Sequence, residues 1–282
     1  MQLVGENICF GGRQLRYQHE SEVLDCAMHF SLYLPPAAAS GPVPLLTWLS
    51  GLTCTDENFV QKAGAQRAAA AHGMALLAPD TSPRGDGVAD APDGAYDLGL
   101  GAGFYVNATE EPWSTHYRMY DYVVDELPAV LGELDELDLQ RQGIFGHSMG
   151  GHGAITIALR NPGRFASVSA FAPICSPLHC PWGEKALGAY LGDDRARWAE
   201  HDSCALIAAA GSHPPLLVDQ GSADAFLAEQ LNTPMLQEAC AQVGGEHSIR
   251  LQAGYDHSYF FIASFIGSHI AFHARELAGA EG

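Results

Sequence analysis

A serine enclosed by glycines is the residue in this sequence that most directly indicates chemistry. Gly146-His147-Ser148-Met149-Gly150 matches the pattern G-x-S-x-G and lies between an apolar segment and the helix-forming stretch AITIALR. In a turn from a strand into a helix, flanking glycines tolerate a strained backbone that exposes the serine hydroxyl, and the helix N-terminus directs N–H groups towards developing negative charge. The pattern is short, and it also occurs in glycine-rich packing loops. It predicts a nucleophile only if a base and an acid follow it.

Both partners follow in the order Ser, Asp, His that strand–turn–helix serine hydrolases use. A serine hydroxyl needs a histidine base, and the histidine needs an acid that fixes its tautomer. Asp224 lies in the polar loop after the apolar segment LLVDQ, and His257 follows the last strand candidate. We therefore expect Asp224 to orient His257. Asp219, at the end of the earlier strand, is expected to support the loop.

Residue type alone does not identify the base, because the chain contains 13 histidines. His147 directly precedes the serine and is expected to point away from its hydroxyl, and His152 lies one turn into the following helix. Histidines at such positions usually have packing or capping roles. His257 differs from His147 and His152 because it follows the last predicted strand.

Acyl transfer also requires two preorganised N–H donors for the oxyanion. The amide of Met149, directly after the serine, is the first candidate. The second is the amide of Leu52, in the loop WLSGLTCTDENF, where Gly51 permits the backbone to turn.

The elements that must position these residues alternate between short apolar segments and longer helical stretches. Such alternation predicts an α/β fold with a mostly parallel central sheet and helices on both faces, and the Ser-Asp-His order specifies the α/β-hydrolase fold. We expect one domain over residues 1–282. Strands are predicted at 28–35 (an early edge strand), 43–50, 74–80, 142–148, 166–173, 214–221 and 247–254. Helices are predicted at 58–73, 114–134 and 258–277. The long segment 81–113 is expected to form a functional rim or lid.

The composition excludes several classes of partner. The formal charge is −19, from 33 acidic and 14 basic residues, which disfavours nucleic acid and anionic membranes. The seven cysteines are an odd number spread over a long chain, which indicates reduced thiols and a cytoplasmic location. The N-terminal sequence MQLVGENICFGG has no features of a secretion signal, and no apolar run approaches the roughly 18 residues of a membrane span.

Three other features could indicate a metal, a dinucleotide or a catalytic thiol, and we expect none of these roles and therefore no cofactor. The spacing of Cys175, His179, Cys180, His201 and Cys204 is not that of a recognised zinc site, so we expect no metal. The segment GLGAGFY lacks the full dinucleotide fingerprint and does not join a strand to a helix. A catalytic thiol is also disfavoured, because Cys54 lies near the oxyanion loop rather than on the serine turn. We expect it to be a neighbour of the site whose alkylation blocks access.

Several long motifs in one order give the chain a wider resemblance. It resembles the S-formylglutathione hydrolase family, known in animals as esterase D, over roughly residues 3–275. The motifs are LSGLTCTDENF, APDTSPRG, GAYDLGLGAGFYVNATEEPW, GHSMGGHGA, CPWGEKALGAYLG, DQGSADAFL and GYDHSYFFI. The resemblance implies hydrolysis of S-formylglutathione in formaldehyde detoxification, the same triad and oxyanion amides, no metal, and a homodimer. Ser176 and Asn107 depart from the residues expected there, at positions taken to lie on the rim.

The leaving group that this resemblance implies carries two carboxylates and one ammonium. An acidic protein that binds it should keep cations at the mouth of the site, and Lys185 and Arg84 are our candidates, with Trp182 as a loop anchor beside them.

Two other functions remain open. One is a broad-specificity short-chain carboxylesterase or a feruloyl- or acetyl-ester hydrolase. The other is a non-catalytic binding module, which would require a broken triad, whereas all three members are present here.

Overall fold

The computed structural model describes residues 1–279, and a nine-stranded sheet runs through them. In chain order the strands are β1 (Gln2–Cys9), β2 (Gly12–Ser21), β3 (Cys26–Leu34), β4 (Val43–Leu49), β5 (Ala75–Pro79), β6 (Leu137–His147), β7 (Ser167–Phe171), β8 (Leu216–Gly221) and β9 (His247–Gln252). Their order across the sheet is β1-β2-β3-β5-β4-β6-β7-β8-β9.

The six strands from β5 to β9 in that order are parallel, and β1, β2 and β3 join them in antiparallel pairs. Helices surround the sheet, so the predicted α/β-hydrolase class is confirmed. One detail is wrong: the strand expected at 28–35 is not an edge. The N-terminal hairpin β1–β2, whose alternation is weak, covers β3 on its outer side, and β3 is consequently buried over most of its length.

The helices are more numerous than the sequence predicts, although the long helix expected at 258–277 is confirmed as Tyr259–Gly279. They are α1 (Asp56–Lys62), α2 (Gln66–His72), α3 (Met119–Asp121), α4 (Leu127–Leu131), α5 (Met149–Arg160), α6 (Pro181–Leu191), α7 (Arg195–Ala199), α8 (Ser203–Ala210), α9 (Thr233–Val243) and α10 (Tyr259–Gly279). The single helix predicted at 58–73 is two helices, because Gly64 turns the chain at a φ of +67°. The helix predicted at 114–134 begins only at Met119, and a π-helical turn, Tyr122–Glu126, precedes Pro128.

The two helices that flank the candidate site pack on opposite faces of the sheet. Successive side chains of a strand point to opposite faces. On β7, Ser167 and Ser169 form hydrogen bonds with His273 of α10, whereas a Cβ placed on Gly151 of α5 would lie 3.3 Å from the Cβ of Ala170. The sheet is therefore sandwiched between α5 and α10 at this strand.

The long connection after β5 is anchored by aromatic side chains rather than by regular structure. The Tyr105 hydroxyl donates to the Ser50 carbonyl at 2.9 Å, and Phe104 and Tyr105 are buried. Over residues 1–279, no helix combines the length and the apolarity needed to cross a membrane.

Candidate active site

Ser148 stands on a strained turn between β6 and α5. Its φ of +57° and ψ of −118° are unusual for a residue with a side chain. The turn closes against the β4 backbone so tightly that a Cβ on Gly150 would lie 1.9 Å from the Leu49 carbonyl oxygen, and one on Gly146 would lie 2.3 Å from the Gly150 oxygen. The spacing of the two glycines around the serine is therefore a steric requirement of this turn.

The backbone of Ser148 is held on both sides. Its N–H donates to the Phe171 carbonyl at 3.0 Å, and its own carbonyl accepts from His152 at 3.0 Å and from Ile174 at 3.2 Å. The helix that follows approaches its neighbours closely, since a Cβ on Gly153 would lie 2.5 Å from the Tyr105 ring. The hydroxyl of Ser148 is thus carried by a backbone with little freedom to move.

Asp224 and His257 meet through a short hydrogen bond. Asp224 lies in the loop after β8, and its Oδ2 is 2.6 Å from Nδ1 of His257, which precedes α10. The carboxylate is fully buried and also accepts hydrogen bonds from the Phe226 amide at 2.9 Å and the Gln220 side chain at 3.2 Å. A carboxylate at Nδ1 holds the proton on that nitrogen and leaves Nε2 free as an acceptor.

Ser148 and His257 line one cavity of about 370 Å³. Much of its wall is aromatic. The Phe226 ring lies edge-on to His257, with centroids 5.1 Å apart, and Trp182 packs against Phe226 at 4.8 Å. The full lining is Gly51, Leu52, Thr53, Cys54, Asn58, Lys62, Tyr96, His147, Ser148, Trp182, Phe226, His257, Ser258 and Tyr259.

The loop after β4 brings a second backbone amide to this cavity. Gly51 is in contact with the serine turn, since a Cβ there would lie 3.2 Å from the Ser148 Cβ. Thr53 has a φ of +68° and donates to the Gly101 carbonyl at 2.9 Å, which fixes the loop. Within residues 1–279 the Leu52 amide donates to no other backbone group. Met149 is the first residue of α5, where an N–H has no acceptor inside its own helix.

Comparison with known proteins agrees with this geometry. A family model described as "Putative esterase" matches residues 21–272. S-formylglutathione hydrolase of Mus musculus is 52% identical over 276 residues, which cover 97% of this chain and 98% of the relative. The chain belongs to the S-formylglutathione hydrolase family.

Solved structures extend the comparison. S-formylglutathione hydrolase of Agrobacterium tumefaciens is 48% identical, with a TM-score of 0.96 over 98% of this chain and 100% of that one. A ferulic acid esterase of Anaeromyces mucronatus, solved in complex with ferulic acid, is 17% identical, with a TM-score of 0.65 over 93% of this chain and 90% of that one. The second likeness shows a shared fold.

Two cations predicted to meet the leaving group are engaged elsewhere in this member of the family. Arg84 forms a two-pronged ion pair with Asp80, with Nε 2.9 Å from Oδ2, and also donates to the Cys54 carbonyl at 3.2 Å. Lys185 is paired with Asp97. Neither lines the cavity, whereas Trp182 and Cys54 do. A direct role of Arg84 or Lys185 in binding stays a prediction, and Arg84 supports the loop that carries Leu52.

Lys62 is one of the cavity residues that the sequence analysis does not predict. It ends α1, is exposed, and its Nζ lies 5.6 Å from the centre of the Tyr259 ring. Asn58, one turn earlier, also lines the cavity. The spacing of four residues is a signal of a shared helix face. It could have been used had α1 been recognised as a separate helix.

Buried neighbours of the site are kept uncharged. Burial, followed by the charge of His257, lowers the pKa of His147 well below its usual value, and the two rings have centroids 4.3 Å apart. Burial raises the pKa of the Cys54 thiol and of the Tyr259 hydroxyl. Cys54 is therefore a protonated thiol at neutral pH, which argues against a role as nucleophile.

The remaining candidates have structural partners. Asp219 accepts from Arg250 and Gln252 of β9 and from His269 of α10, so it joins strand to helix and does not support the loop as predicted. Cys180 caps α6, with the Gly183 amide 3.4 Å from its sulfur. Across residues 1–279 no cluster of three or more groups is arranged to hold a metal ion.

The two departures from the family pattern do not line the cavity. Ser176 donates to Asp202 at 2.6 Å, and the Asn107 side chain donates to Asp121 at 2.6 Å. Each is held by a carboxylate and lies outside the cavity wall, and their position on the rim stays a prediction.

Proposed function

We propose that this protein hydrolyses S-formylglutathione to formate and glutathione, as a serine thioesterase with Ser148, His257 and Asp224 as its triad. The observation that carries the proposal is the 2.6 Å contact between Asp224 and His257, with Ser148 on a strained turn in the wall of the same cavity. Membership of the family supports the choice of substrate.

Acylation begins when His257 Nε2 removes the Ser148 proton and Oγ attacks the formyl carbon. The amides of Leu52 and Met149 stabilise the oxyanion, and each such donor is typically worth about 2.7–4 kcal/mol in the transition state. Collapse of the tetrahedral intermediate breaks the C–S bond. The glutathione thiolate departs and takes the proton held by His257.

Deacylation reverses the roles. His257 accepts a proton from a water molecule, the resulting hydroxide attacks the formyl ester of Ser148, and the proton returns to Oγ as formate leaves. Asp224 stays ionised throughout and stabilises the imidazolium formed in each half-reaction. Because a thiolate is a better leaving group than an amine, selectivity rests on the acyl and glutathione sites rather than on the general acid.

The proposed substrate also bears on the assembly, the cellular location and the pathway of the protein. We infer that the chain forms a single α/β-hydrolase domain, assembles as a homodimer and works in the cytoplasm, in the second step of glutathione-dependent formaldehyde detoxification. All seven cysteines are free thiols, which suits a reducing compartment. Analytical ultracentrifugation would test the dimer.

The substrate assignment is tested by kcat/KM. The value for S-formylglutathione should exceed those for 4-nitrophenyl acetate and methyl ferulate by at least about tenfold, or 1.4 kcal/mol. Comparable values for the aryl ester would favour a short-chain carboxylesterase, and a preference for methyl ferulate would favour a feruloyl esterase. Failure of a fluorophosphonate probe to label the wild-type protein, with Ser148→Ala as the blank, would indicate a non-catalytic module.

A further inference from the structure

The cavity wall contains one lysine with no carboxylate partner. Lys62 forms no ion pair or hydrogen bond with a protein group within residues 1–279, although the chain contains 33 acidic residues against 14 basic ones. Its Nζ lies over the Tyr259 ring, 5.6 Å from the ring centre. In so acidic a protein, an exposed and unpaired amine in the wall of the cavity that also contains Ser148 is available to an anionic substrate.

The helix that carries Lys62 is fixed at its beginning. Thr55 and Asn58 form a capping box at the start of α1, in which the Asn58 Oδ1 accepts from the Thr55 amide at 2.9 Å. This contact directs the Asn58 Nδ2 away from the cap, and within residues 1–279 Nδ2 donates to no protein group. Asn58 and Lys62, four residues apart on one face, thus offer a neutral donor and a cation to the cavity.

The charged residues that line the cavity suit the glycyl end of glutathione better than its γ-glutamyl end. The γ-glutamyl end carries a carboxylate and an ammonium, so a site for it needs an acidic residue as well as a cation. Within the described part of the chain, neither aspartate nor glutamate lines the cavity. The glycyl end carries a carboxylate alone and needs only a cation and an amide donor.

We propose that Lys62, assisted by Asn58, binds the glycyl carboxylate of the glutathione group. This inference rests on the proposed function, and it makes Lys62 a specificity-determining residue that distinguishes glutathione thioesters from uncharged esters. The Tyr259 ring limits the directions in which the lysine side chain can extend.

The test compares S-formylglutathione with its glycyl ethyl ester, in which that carboxylate is neutral. For the wild type, kcat/KM for the acid should exceed that for the ester about fivefold, the worth of a part-exposed charge pair of about 1 kcal/mol. Lys62→Gln should bring the ratio to about one, and Lys62→Arg should restore most of it. Arg67→Gln, which removes a charge outside the cavity lining, should keep the wild-type ratio.

Each outcome bears on the proposal. An equal loss for both substrates in Lys62→Gln would indicate a structural role and overturn it. So would a ratio that falls in Lys185→Gln while Lys62→Gln keeps the wild-type value, because the glycyl site would then lie at the other lysine. A wild type that hydrolyses neither glutathione substrate faster than 4-nitrophenyl acetate refutes the proposed function instead.

Discussion

A comparison of two groups of serine, histidine and aspartate within residues 1–279 shows what an active site requires beyond these residue types. The first, called the open group, is Ser148, His257 and Asp224. The second, called the closed group, is Ser169, His269 and Asp219, in which the histidine contacts serine at 2.8 Å and aspartate at 3.1 Å. By residue type the two are alike, but Asp224 contacts Nδ1 of its histidine, whereas Asp219 contacts Nε2.

Their surroundings separate them. In the open group the histidine side chain is 18% exposed and faces a cavity, whereas His269 and Asp219 are completely buried. Burial would raise the pKa of Asp219, but hydrogen bonds from His269 and Arg250 outweigh it and lower that pKa to about 2. Ser169 lies inside β7 and has no strained turn and no helix N-terminus beside it.

The contrast teaches that residue types alone do not make a hydrolase site. Access to substrate, a strained turn and free backbone amides distinguish the open group. The closed group instead joins β7 and β8 to α10, the helix that directly follows His257. The serine and aspartate predictions below separate the two roles.

The largest contrast should come from the serines. We expect Ser148→Ala to lower kcat/KM for S-formylglutathione by about 10⁵- to 10⁶-fold, because the nucleophile is lost. Ser169→Ala should keep kcat/KM within about threefold of wild type, while leaving buried histidine nitrogens unpaired at a cost of about 1–3 kcal/mol in stability. Steady-state kinetics on both purified variants check this. A Ser169→Ala protein that is folded yet inactive would contradict the assignment.

The aspartates should differ next. Asp224→Asn presents an amide to His257 and stabilises the wrong tautomer, so kcat should fall about 10⁴-fold with little loss of stability. Asp219→Asn should keep kcat within a few-fold while lowering the free energy of unfolding by about 1–3 kcal/mol, because it weakens the hydrogen bonds that the buried carboxylate accepts from Arg250 and His269. Urea unfolding and kinetics on the same samples measure both. The reverse pattern would exchange the roles of the two groups.

Acid should weaken the fold through buried histidines. Burial lowers the pKa of His152 to about 4 and the pKa values of His201 and His273 to about 3. The unfolded chain, with histidine pKa values of about 6.5, therefore binds more protons, and stability falls as the pH falls from about 6 to about 4. Each histidine should contribute about 1.4 kcal/mol per pH unit.

Denaturant titrations over that pH range measure the slope, and His152→Leu is the matched control. Both ring nitrogens of His152 are buried without a protein partner, so this variant removes one proton-binding group and breaks no hydrogen bond of the ring. We expect it to reduce the slope by about one proton. Stability that stays constant down to pH 4 would show that these histidines are protonated in the folded state.

The smallest effect should come from Cys54. Its thiol lines the cavity but is protonated and makes no bond to the reacting atoms, so Cys54→Ala should retain most turnover, within about threefold. Alkylation of the wild-type protein should block access and abolish activity, and the Cys54→Ala protein should resist the same treatment. Loss of turnover in the alanine variant comparable to that in Ser148→Ala would make Cys54 part of the reaction.

Local sequence rules predict the centre of this molecule better than its margins. The parallel strands are continuous apolar segments, which the sequence shows directly. The turn at Ser148 requires glycines at fixed positions, because a Cβ there would clash with the backbone, so the glycine spacing also predicts this turn. The sequence does not predict the hairpin β1–β2, because β1 is mostly exposed and neither strand alternates regularly between hydrophobic and polar residues. Lys62 was missed because the turn at Gly64 falls within one apparently continuous helical pattern, which hides the face that α1 presents.

Charge partners were the least predictable feature of the site. The sequence predicts Arg84 and Lys185 as cations at the mouth of the site, but their pairing with Asp80 and Asp97 depends on how a long loop folds. A carboxylate that is distant in sequence can pair with a cation, and a local sequence pattern does not predict such a contact. Asp219 was misassigned for the same reason, because its partners lie on β9 and α10.

Trapping of the acyl-enzyme is the most direct test of the central claim. Wild-type protein mixed with S-formylglutathione, quenched in acid and digested, should yield a peptide containing Ser148 that carries one formyl group by mass spectrometry. His257→Ala, treated identically, should yield no such adduct, because the serine lacks its base. A formyl group found on Cys54 or Ser169, or turnover without an adduct on Ser148, would contradict the account.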